Sequence, residues 1–420
     1  MISVQTHRRA FGEGDSSIKE TWCDLTPSMR CDWLDQLRGW AVILMIEVHV
    51  VNVWLNVGLL PRWLNFVNGL VAPSFIMCAG YSLVLSTFKS DGTMRPLVPT
   101  MKRLGFILLC AYARQMPGVT LAEWTVRSTS ARWRDFFQID VLQCIVFSLL
   151  ILHGLARIIR RPMVYAAVAL ILALIVALAS PALWHPGVAA GWWLPVRGLV
   201  NGNTDRGVTS LFPLFPWFAF AAFGSVLGAI YRYYRILSNN GKARWSELHW
   251  LVTLVIAGGI SYLWGSQHAK EWLSGSVFPT NDIGRLYNTT LPSVAERLGL
   301  VCVAGALMGW IELLRGRWTG PNLAVVASRE SLLLYMLHLN LIFGVLLADP
   351  LRRRMGWECN SLGWLGTLGL TLLIIGANLA VGVAWQRIRK DEALVGRIQK
   401  SALIMLAIWF VVGGWSASCY

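Results

Sequence analysis

The sequence predicts an all-α protein, a polytopic membrane helix bundle with about 11 transmembrane helices and a cytoplasmic N-terminus. Of its 420 residues, 55% are hydrophobic and only 14% are charged, whereas a soluble protein usually carries about 25% charged residues. Apolar runs of about 20 residues, the length that crosses a bilayer, recur along the chain. The 22 tryptophans fit many membrane interfaces, where indole rings prefer to lie. No large soluble domain is left over.

Eleven stretches qualify as spans. They are 36–57, 64–87, 99–116, 136–157, 163–180, 211–234, 248–265, 293–314, 323–347, 361–386 and 399–417. The third is the weakest, because Arg103 and Arg114 bracket a short apolar run. We therefore divide the chain into a cytoplasmic tail, residues 1–30, and a membrane-embedded domain, residues 31–420.

The charge pattern sets the orientation and excludes two classes of site. With the N-terminus inside, the inner segments carry more Lys and Arg than the outer ones, as the positive-inside rule requires. These basic residues are scattered between spans and form no soluble basic face, so we expect no nucleic-acid partner. The eight cysteines show neither a CxxC pair nor zinc spacing, which predicts no metal site and no disulfide framework.

The first span carries an unusual number of polar groups. They are Asp35, Arg38, Glu47, His49 and Asn52. Ionisable groups inside a bilayer are costly, so they indicate a functional site. Arg38 and His49 lie about 20° apart around a helix axis and ~16 Å apart along it. Glu47 points roughly the opposite way, and we expect it to pair with an arginine such as Arg103.

His49 is the best catalytic candidate, because an imidazole can take and return a proton near neutral pH. A histidine in a membrane helix can instead be a packing residue bonded to a backbone carbonyl. Arg38 also has two readings, since it can snorkel to the inner interface or pair with Asp35.

Other predicted spans carry polar groups that can converge on the first. Asp140 belongs to the fourth span, and Tyr335 and His338 share one face of the ninth. Each can be structural glue between helices, but so many ionisable groups at membrane depth exceed what a scaffold needs. Gly224 and Gly228 in the sixth span predict a small-residue face for close helix packing.

The stretch 34–49, Leu-Asp-Gln-Leu-Arg-Gly-Trp-Ala-Val-Ile-Leu-Met-Ile-Glu-Val-His, resembles the opening helix of integral-membrane acyltransferases. In the acyltransferase 3 family an Arg, ten residues and a His mark the active helix, and Arg38 and His49 match that spacing. Further elements resemble the neighbouring family of heparan-α-glucosaminide N-acetyltransferase-like membrane proteins. These elements are 72–82, 140–143, 212–217 and 331–338.

The resemblance implies transfer of an acetyl group from cytoplasmic acyl-CoA to an acceptor, often a sugar, on the far face of the membrane. The chain departs from the lysosomal sugar acetyltransferase, where an Asn ends this helix and the active His follows about three turns later. Here His49 takes the place of that Asn, and the later position falls near Leu60 and Pro61, with no His. The chemistry then rests on His49 or on a residue from elsewhere.

The hypothesis is an acetyl-CoA-dependent acyltransferase of the inner or plasma membrane. His49 acts as general base, Arg38 orients the thioester or pantetheine arm of the donor, and Asp35 holds Arg38. Lys102 and Arg103 are expected to bind the CoA phosphates. Asp140, Tyr335, His338 and Asn52 are expected to line the pore or bind a carbohydrate or glycan acceptor. We expect O- or N-acylation and leave the oligomeric state open, with a homodimer as one option.

Two alternatives remain at this stage. Buried Asp, Glu, Arg and His also suit a proton-coupled transporter of a small polar solute. Against it, the sequence gives no sign of paired, inverted halves with broken helices. A non-catalytic scaffold is the third class, for which loss of Arg38 or His49 changes stability alone.

Overall fold

The computed structural model of the protein describes most of the membrane domain. The described residues are 31–89, 93–116, 130–185, 187–189, 191–202, 210–237, 243–274, 289–315, 322–346, 358–391, 393–398, 400, 401 and 404. The predicted cytoplasmic tail, residues 1–30, lies outside them, and so does nearly all of the last predicted span.

Within these ranges the chain forms fourteen α-helices, which confirms the predicted all-α class. They are α1 Asp32–Trp54, α2 Arg62–Asn68, α3 Val71–Thr87, α4 Leu97–Arg114, α5 Ser130–Phe136, α6 Val141–Ile159, α7 Pro162–Leu183, α8 Leu194–Val200, α9 Leu214–Leu237, α10 Ala243–Ser274, α11 Leu291–Arg315, α12 Leu323–Arg329, α13 Ser331–Leu339 and α14 Trp364–Ile388. A 3₁₀ turn follows α1 at Val57–Leu59, and a π-helix, Asn340–Leu346, continues α13.

Eight segments of the described chain are long and apolar enough to cross a membrane. They are Asp32–Trp54, Arg62–Thr87, Val141–Ile159, Pro162–Leu183, Leu214–Ile236, Glu247–Trp272, Leu291–Leu314 and Trp364–Ile388. A ninth is added if the bent pair Leu323–Arg329 and Ser331–Gly344 counts as one span. The third predicted span coincides with α4, which is not among them. The figure of eleven spans therefore stays a prediction.

Helix α1 lies at the centre of the bundle and packs against α3, α11, α12, α13 and α14. Its closest neighbour is α12. A Cβ added to Gly39 would lie 1.8 Å from the carbonyl oxygen of Ala324, so the two backbones touch with no side chain between them. A larger residue in place of Gly39 would hold the two helices apart, whereas small residues at a helix interface permit such a close approach.

The small-residue face predicted for Gly224 and Gly228 is confirmed. Both belong to α9 and face α3, where added Cβ atoms would lie 2.1 Å from the Met77 carbonyl oxygen and 2.8 Å from that of Tyr81. Gly80 of α3 makes the reciprocal approach to the Ala221 backbone. Helices α3 and α9 therefore form one closely packed pair behind α1.

The ninth predicted span, 323–347, is not one straight helix. Helices α12 and α13 meet at an angle of 87°, because Glu330 leaves the helical conformation with φ −103° and ψ 24°. Glu330 is 5% exposed and lies 3.1 Å from Arg389 Nη2 just after α14. The stretch predicted as one span is therefore bent in the structure, and the sequence around the bend contains neither Pro nor Gly that would indicate it.

Several basic residues assigned to the inner side meet at one end of the bundle. Arg157, at the end of α6, donates a hydrogen bond to the carbonyl oxygen of Arg95. Arg232 of α9 donates to the carbonyl oxygen of Lys89 in the same connection between α3 and α4. These four residues therefore lie on one side of the membrane, as the charge pattern requires. Which side is cytoplasmic remains a prediction.

Replacing Gly39 with Ala tests the contact between α1 and α12. The added methyl group collides with the Ala324 backbone, so we expect a loss of about 1–3 kcal/mol, the usual cost of overpacking. The measurement is thermal unfolding of the detergent-purified protein. Gly154→Ala in α6 is the control, because nothing lies within 4 Å of its Cβ position. Equal unfolding temperatures for both variants would contradict the assigned contact.

Candidate functional site

The first of two polar clusters lies near the start of α1. Arg38 Nη2 is 2.9 Å from Asp35 Oδ1, one helical turn apart, where i,i+3 side chains meet. Arg38 Nε donates to Ser328 Oγ at 2.8 Å, and Ser328 Oγ donates to Asp35 Oδ1 at 3.2 Å. The three side chains form a closed triangle between α1 and α12. Asp35 therefore holds Arg38, as the sequence predicts.

The second cluster surrounds His49, nearer the other end of α1. Its ring centroid lies 5.3 Å from that of His338 on α13 and 5.6 Å from that of Phe343. Within the described chain the imidazole nitrogens of His49 accept and donate no hydrogen bond. The packing reading, in which a backbone carbonyl satisfies His49, therefore does not hold. Its nitrogens are available to a ligand.

His338 is fully buried and has a defined orientation. Its Nδ1 lies 2.8 Å from the carbonyl oxygen of Leu334. Because a carbonyl only accepts, Nδ1 must carry the hydrogen, and in the neutral ring Nε2 is then the acceptor. That Nε2 atom is buried and has no hydrogen-bond partner among the described residues. His338 therefore presents a free lone pair next to His49.

Tyr335 extends the cluster from α13 to α6. Its hydroxyl donates to Asp140 Oδ2 at 3.1 Å, and its ring lies 5.7 Å from that of His338. Asp140 is the N-cap of α6, where its Oδ1 accepts from the Val141 amide at 2.7 Å. An N-cap carboxylate satisfies one of the open amides of the first turn. The fourth predicted span thus begins at Val141 instead of residue 136.

Arg114, the last residue of α4, completes the cluster. Its Nη2 lies 3.1 Å from Asp140 Oδ2. Arg114 and Asp140 are the charged groups that act on the His49 imidazole. In the sequence, Arg114 stands out only as a charge that weakens the third predicted span. A signal was available, because Arg103 and Arg114 repeat the eleven-residue spacing of Arg38 and His49, which puts both arginines on one stripe of α4.

The inner arginine of that stripe lies near the first cluster. Arg38 is the charged group that acts on the Arg103 guanidinium. The two arginines of α4 thus lie near different clusters, Arg103 near Arg38 and Arg114 near Asp140, while α4 itself packs against α6. The predicted pairing of Glu47 with Arg103 is wrong. The Glu47 carboxyl group instead lies beside the Asn68 side chain.

Two predicted binding residues lie apart from both clusters. Lys102 and Asn52 are exposed, and neither forms a hydrogen bond or ion pair within the described chain. The structure thus brings together Asp35 with Arg38, and His49 with Asp140, Tyr335 and His338. Only Arg103 among the predicted basic donor residues approaches either cluster.

A family model matches the region of the chain that contains Arg38 and His49. The model described as heparan-alpha-glucosaminide N-acetyltransferase, catalytic, matches residues 30–264, more than half of the chain. The chain belongs to this family. A search of curated proteins returns no match.

Family membership indicates a membrane acetyltransferase, and the apolar helices make the chain a multi-pass membrane protein. The matched region contains Arg38, His49, Arg114 and Asp140 but ends before α12 and α13. Tyr335 and His338 are therefore assigned to the site by their contacts with two matched residues, Asp140 and His49.

Replacing Ser328 with Ala tests the first cluster. The substitution removes a hydrogen bond from Arg38 and one to Asp35, so we expect a loss of about 1–3 kcal/mol, because both partners are charged. The measurement is again thermal unfolding of the purified protein. Ser266→Ala is the matched control, since its hydroxyl bonds only to Leu263 in its own helix. Unfolding of Ser328→Ala at the temperature of that control would rule out the triangle.

Proposed function

We propose that the protein transfers an acetyl or other short acyl group from cytosolic acyl-CoA to a sugar or glycan acceptor at the outer face of a cell membrane. The observation that carries the proposal is the pair of clusters on one face of α1. Arg38 and His49 lie ~16 Å apart along the helix axis, so a donor bound at the first cluster can extend toward a base at the second. The membrane is the inner or plasma membrane.

His49 is the general base in this proposal. It takes the proton from an acceptor hydroxyl or amine as that group attacks the thioester carbon. Its ring nitrogens have no hydrogen bond in the described chain, which leaves them open to the acceptor. His338, Tyr335 and Asp140 orient the acceptor, since the His338 Nε2 lone pair is buried and unpartnered. The chemistry is the same for O- and N-acylation.

The donor side is assigned to the first cluster. Asp35 and Ser328 fix the Arg38 guanidinium, which then orients the pantetheine arm of acyl-CoA. Arg103, near Arg38, together with the exposed Lys102, binds the CoA phosphates, because guanidinium and ammonium groups form strong charge-assisted bonds to phosphate. Asn52 is exposed on α1 and is kept as a contact for the acceptor at the outer face.

The base is tested with His49→Ala. We expect transfer to fall by roughly 10²–10⁴-fold, the usual contribution of a general base. The assay supplies labelled acetyl-CoA, with glucosamine and neutral hexoses as test acceptors, and measures the acetylated product and released CoA by mass spectrometry. Acetyl-CoA binding is expected to persist, since the donor contacts lie on the first cluster.

The matched control is His268→Ala, a histidine that bonds only to Trp264 of its own helix. Full transfer by a folded His49→Ala protein would overturn the assignment of the base. Absence of acetyl-CoA binding by the wild-type protein would overturn the proposed reaction itself.

The donor contacts are tested with the double variant Lys102→Ala, Arg103→Ala. We expect the KM for acetyl-CoA to rise about tenfold or more, because each charge-assisted bond to phosphate contributes about 1.5–3 kcal/mol. The kcat value should stay close to wild type, since neither residue reaches the second cluster. Arg160→Ala serves as control, because its guanidinium bonds to a carbonyl of its own helix, that of Arg157. An unchanged KM would remove these two residues from the donor site.

A proton-coupled transporter of a small polar solute is the second candidate. The broken helix at Glu330 favours it, because discontinuous helices commonly form transport sites. Uptake of labelled solute into proteoliposomes without acyl-CoA distinguishes the two functions. Uptake that persists in the absence of acetyl-CoA supports transport, whereas CoA release coupled to acceptor modification supports the enzyme.

A further inference from the structure

The proposed reaction needs a positive group beside His49. As the acceptor attacks the thioester, negative charge develops on the carbonyl oxygen, and hydrogen-bond donors aimed at that oxygen lower the barrier. Arg38 cannot supply this charge, since it lies ~16 Å from His49 along α1. A general base without such a donor provides only part of the catalytic power that acyl transfer requires.

Arg114 is the cation that pairs with Asp140 in the second cluster. Its charge acts on His49, His338 and Tyr335 alike. Its side chain is 30% exposed, whereas that of Asp140 is 12% exposed, so the guanidinium lies at the edge of the buried network. The guanidinium is therefore close to the base and open to a ligand, whereas Asp140 is buried behind it.

The contacts of Arg114 leave most of its donors unused. Only Nη2 bonds to Asp140, through Oδ2, and within the described chain the Nε and Nη1 groups have no partner. The Asp140 carboxylate is fully engaged, because Oδ1 accepts from the Val141 amide and Oδ2 also accepts from Tyr335. Asp140 thus fixes the guanidinium from one side and leaves its other donors free.

We propose that Arg114 is a catalytic residue whose free N–H groups stabilise the oxyanion of the transferring acyl group, with Asp140 as its positioning residue. The inference rests on the proposed acyltransferase function. The acceptor oxygen or nitrogen bonds to the carbonyl carbon, His49 takes its proton, and the carbonyl π electrons move to the oxygen beside Arg114. The tetrahedral intermediate then expels CoA as thiolate, which takes the proton from the imidazolium.

In this proposal the arginines of the two clusters have different roles. Arg38 and Arg103 bind the donor at the first cluster, and Arg114 acts on the reacting carbonyl at the second. A guanidinium suits the second task, because its planar fork can hold Asp140 on one edge and an oxyanion on another. A lysine at this position would have to choose between the two partners.

The test compares Arg114→Lys and Arg114→Ala with wild type. We expect kcat to fall by roughly 10²–10³-fold in Arg114→Ala, as on removal of an oxyanion donor, with the affinity for acetyl-CoA unchanged. Added guanidinium chloride at low millimolar concentration should restore part of the activity of Arg114→Ala and none of that of His49→Ala. Arg134→Ala, an exposed arginine of α5, is expected to keep wild-type kcat.

A purely structural role makes a different prediction. If Arg114 only neutralises Asp140, the double variant Arg114→Ala, Asp140→Asn removes both charges and regains wild-type kcat, which would overturn the proposal. If Arg114 stabilises the oxyanion, the double variant stays as slow as Arg114→Ala.

Two further outcomes keep the test decisive. Should Arg114→Ala fail to fold, Arg114→Lys retains a charge for Asp140, and wild-type kcat in a stable Arg114→Lys protein would overturn the proposal. Failure of the reaction as a whole is seen separately, as a wild-type protein that binds no acetyl-CoA or releases no CoA.

Discussion

The direct contact between the Gly39 backbone and Ala324 determines much of the architecture. Because no side chain separates α1 from α12 there, Ser328 one turn later can reach both Arg38 and Asp35. The chain then bends at Glu330, which allows α13 to run toward the other end of α1 and brings His338 beside His49. Both clusters therefore depend on one close approach of two helices.

Polar groups at membrane depth need hydrogen-bond partners. A group whose partners all lie within the protein can be structural, whereas one without a partner is a candidate for ligand binding. Asp140 is satisfied by three donors, and Asp35 by Arg38 and Ser328. Around the second cluster the nitrogens of His49, the Nε2 atom of His338 and the buried Gln143 Oε1 atom have no hydrogen-bond partner among the described residues. The second cluster therefore satisfies its carboxylate and leaves these atoms open to the donors and acceptors of the proposed acceptor molecule.

The sequence predicted the stripe on α1 and the convergence of Asp140, Tyr335 and His338, because ionisable residues in apolar spans are a strong local signal. It missed the bend at Glu330, since no Pro or Gly marks it, and the ion pair with Arg389 that accompanies it comes from a distant part of the chain. It also expected Glu47 to pair with Arg103. Helical periodicity gives the direction of a side chain and does not identify its neighbour.

Helix α4 combines two arginines with an exposed apolar stripe. Taking ~100° per residue, Val98 and Leu109 lie on one stripe, Leu104 and Ala111 on another, and the two arginines between them. The first pair is exposed and apolar, as a lipid-facing surface is, and the second is buried in the bundle. Arg103 and Arg114 therefore lie between the exposed and the buried stripe of α4, near Arg38 and Asp140 respectively. The charges that weaken α4 as a predicted span are those that face the proposed path from donor to acceptor.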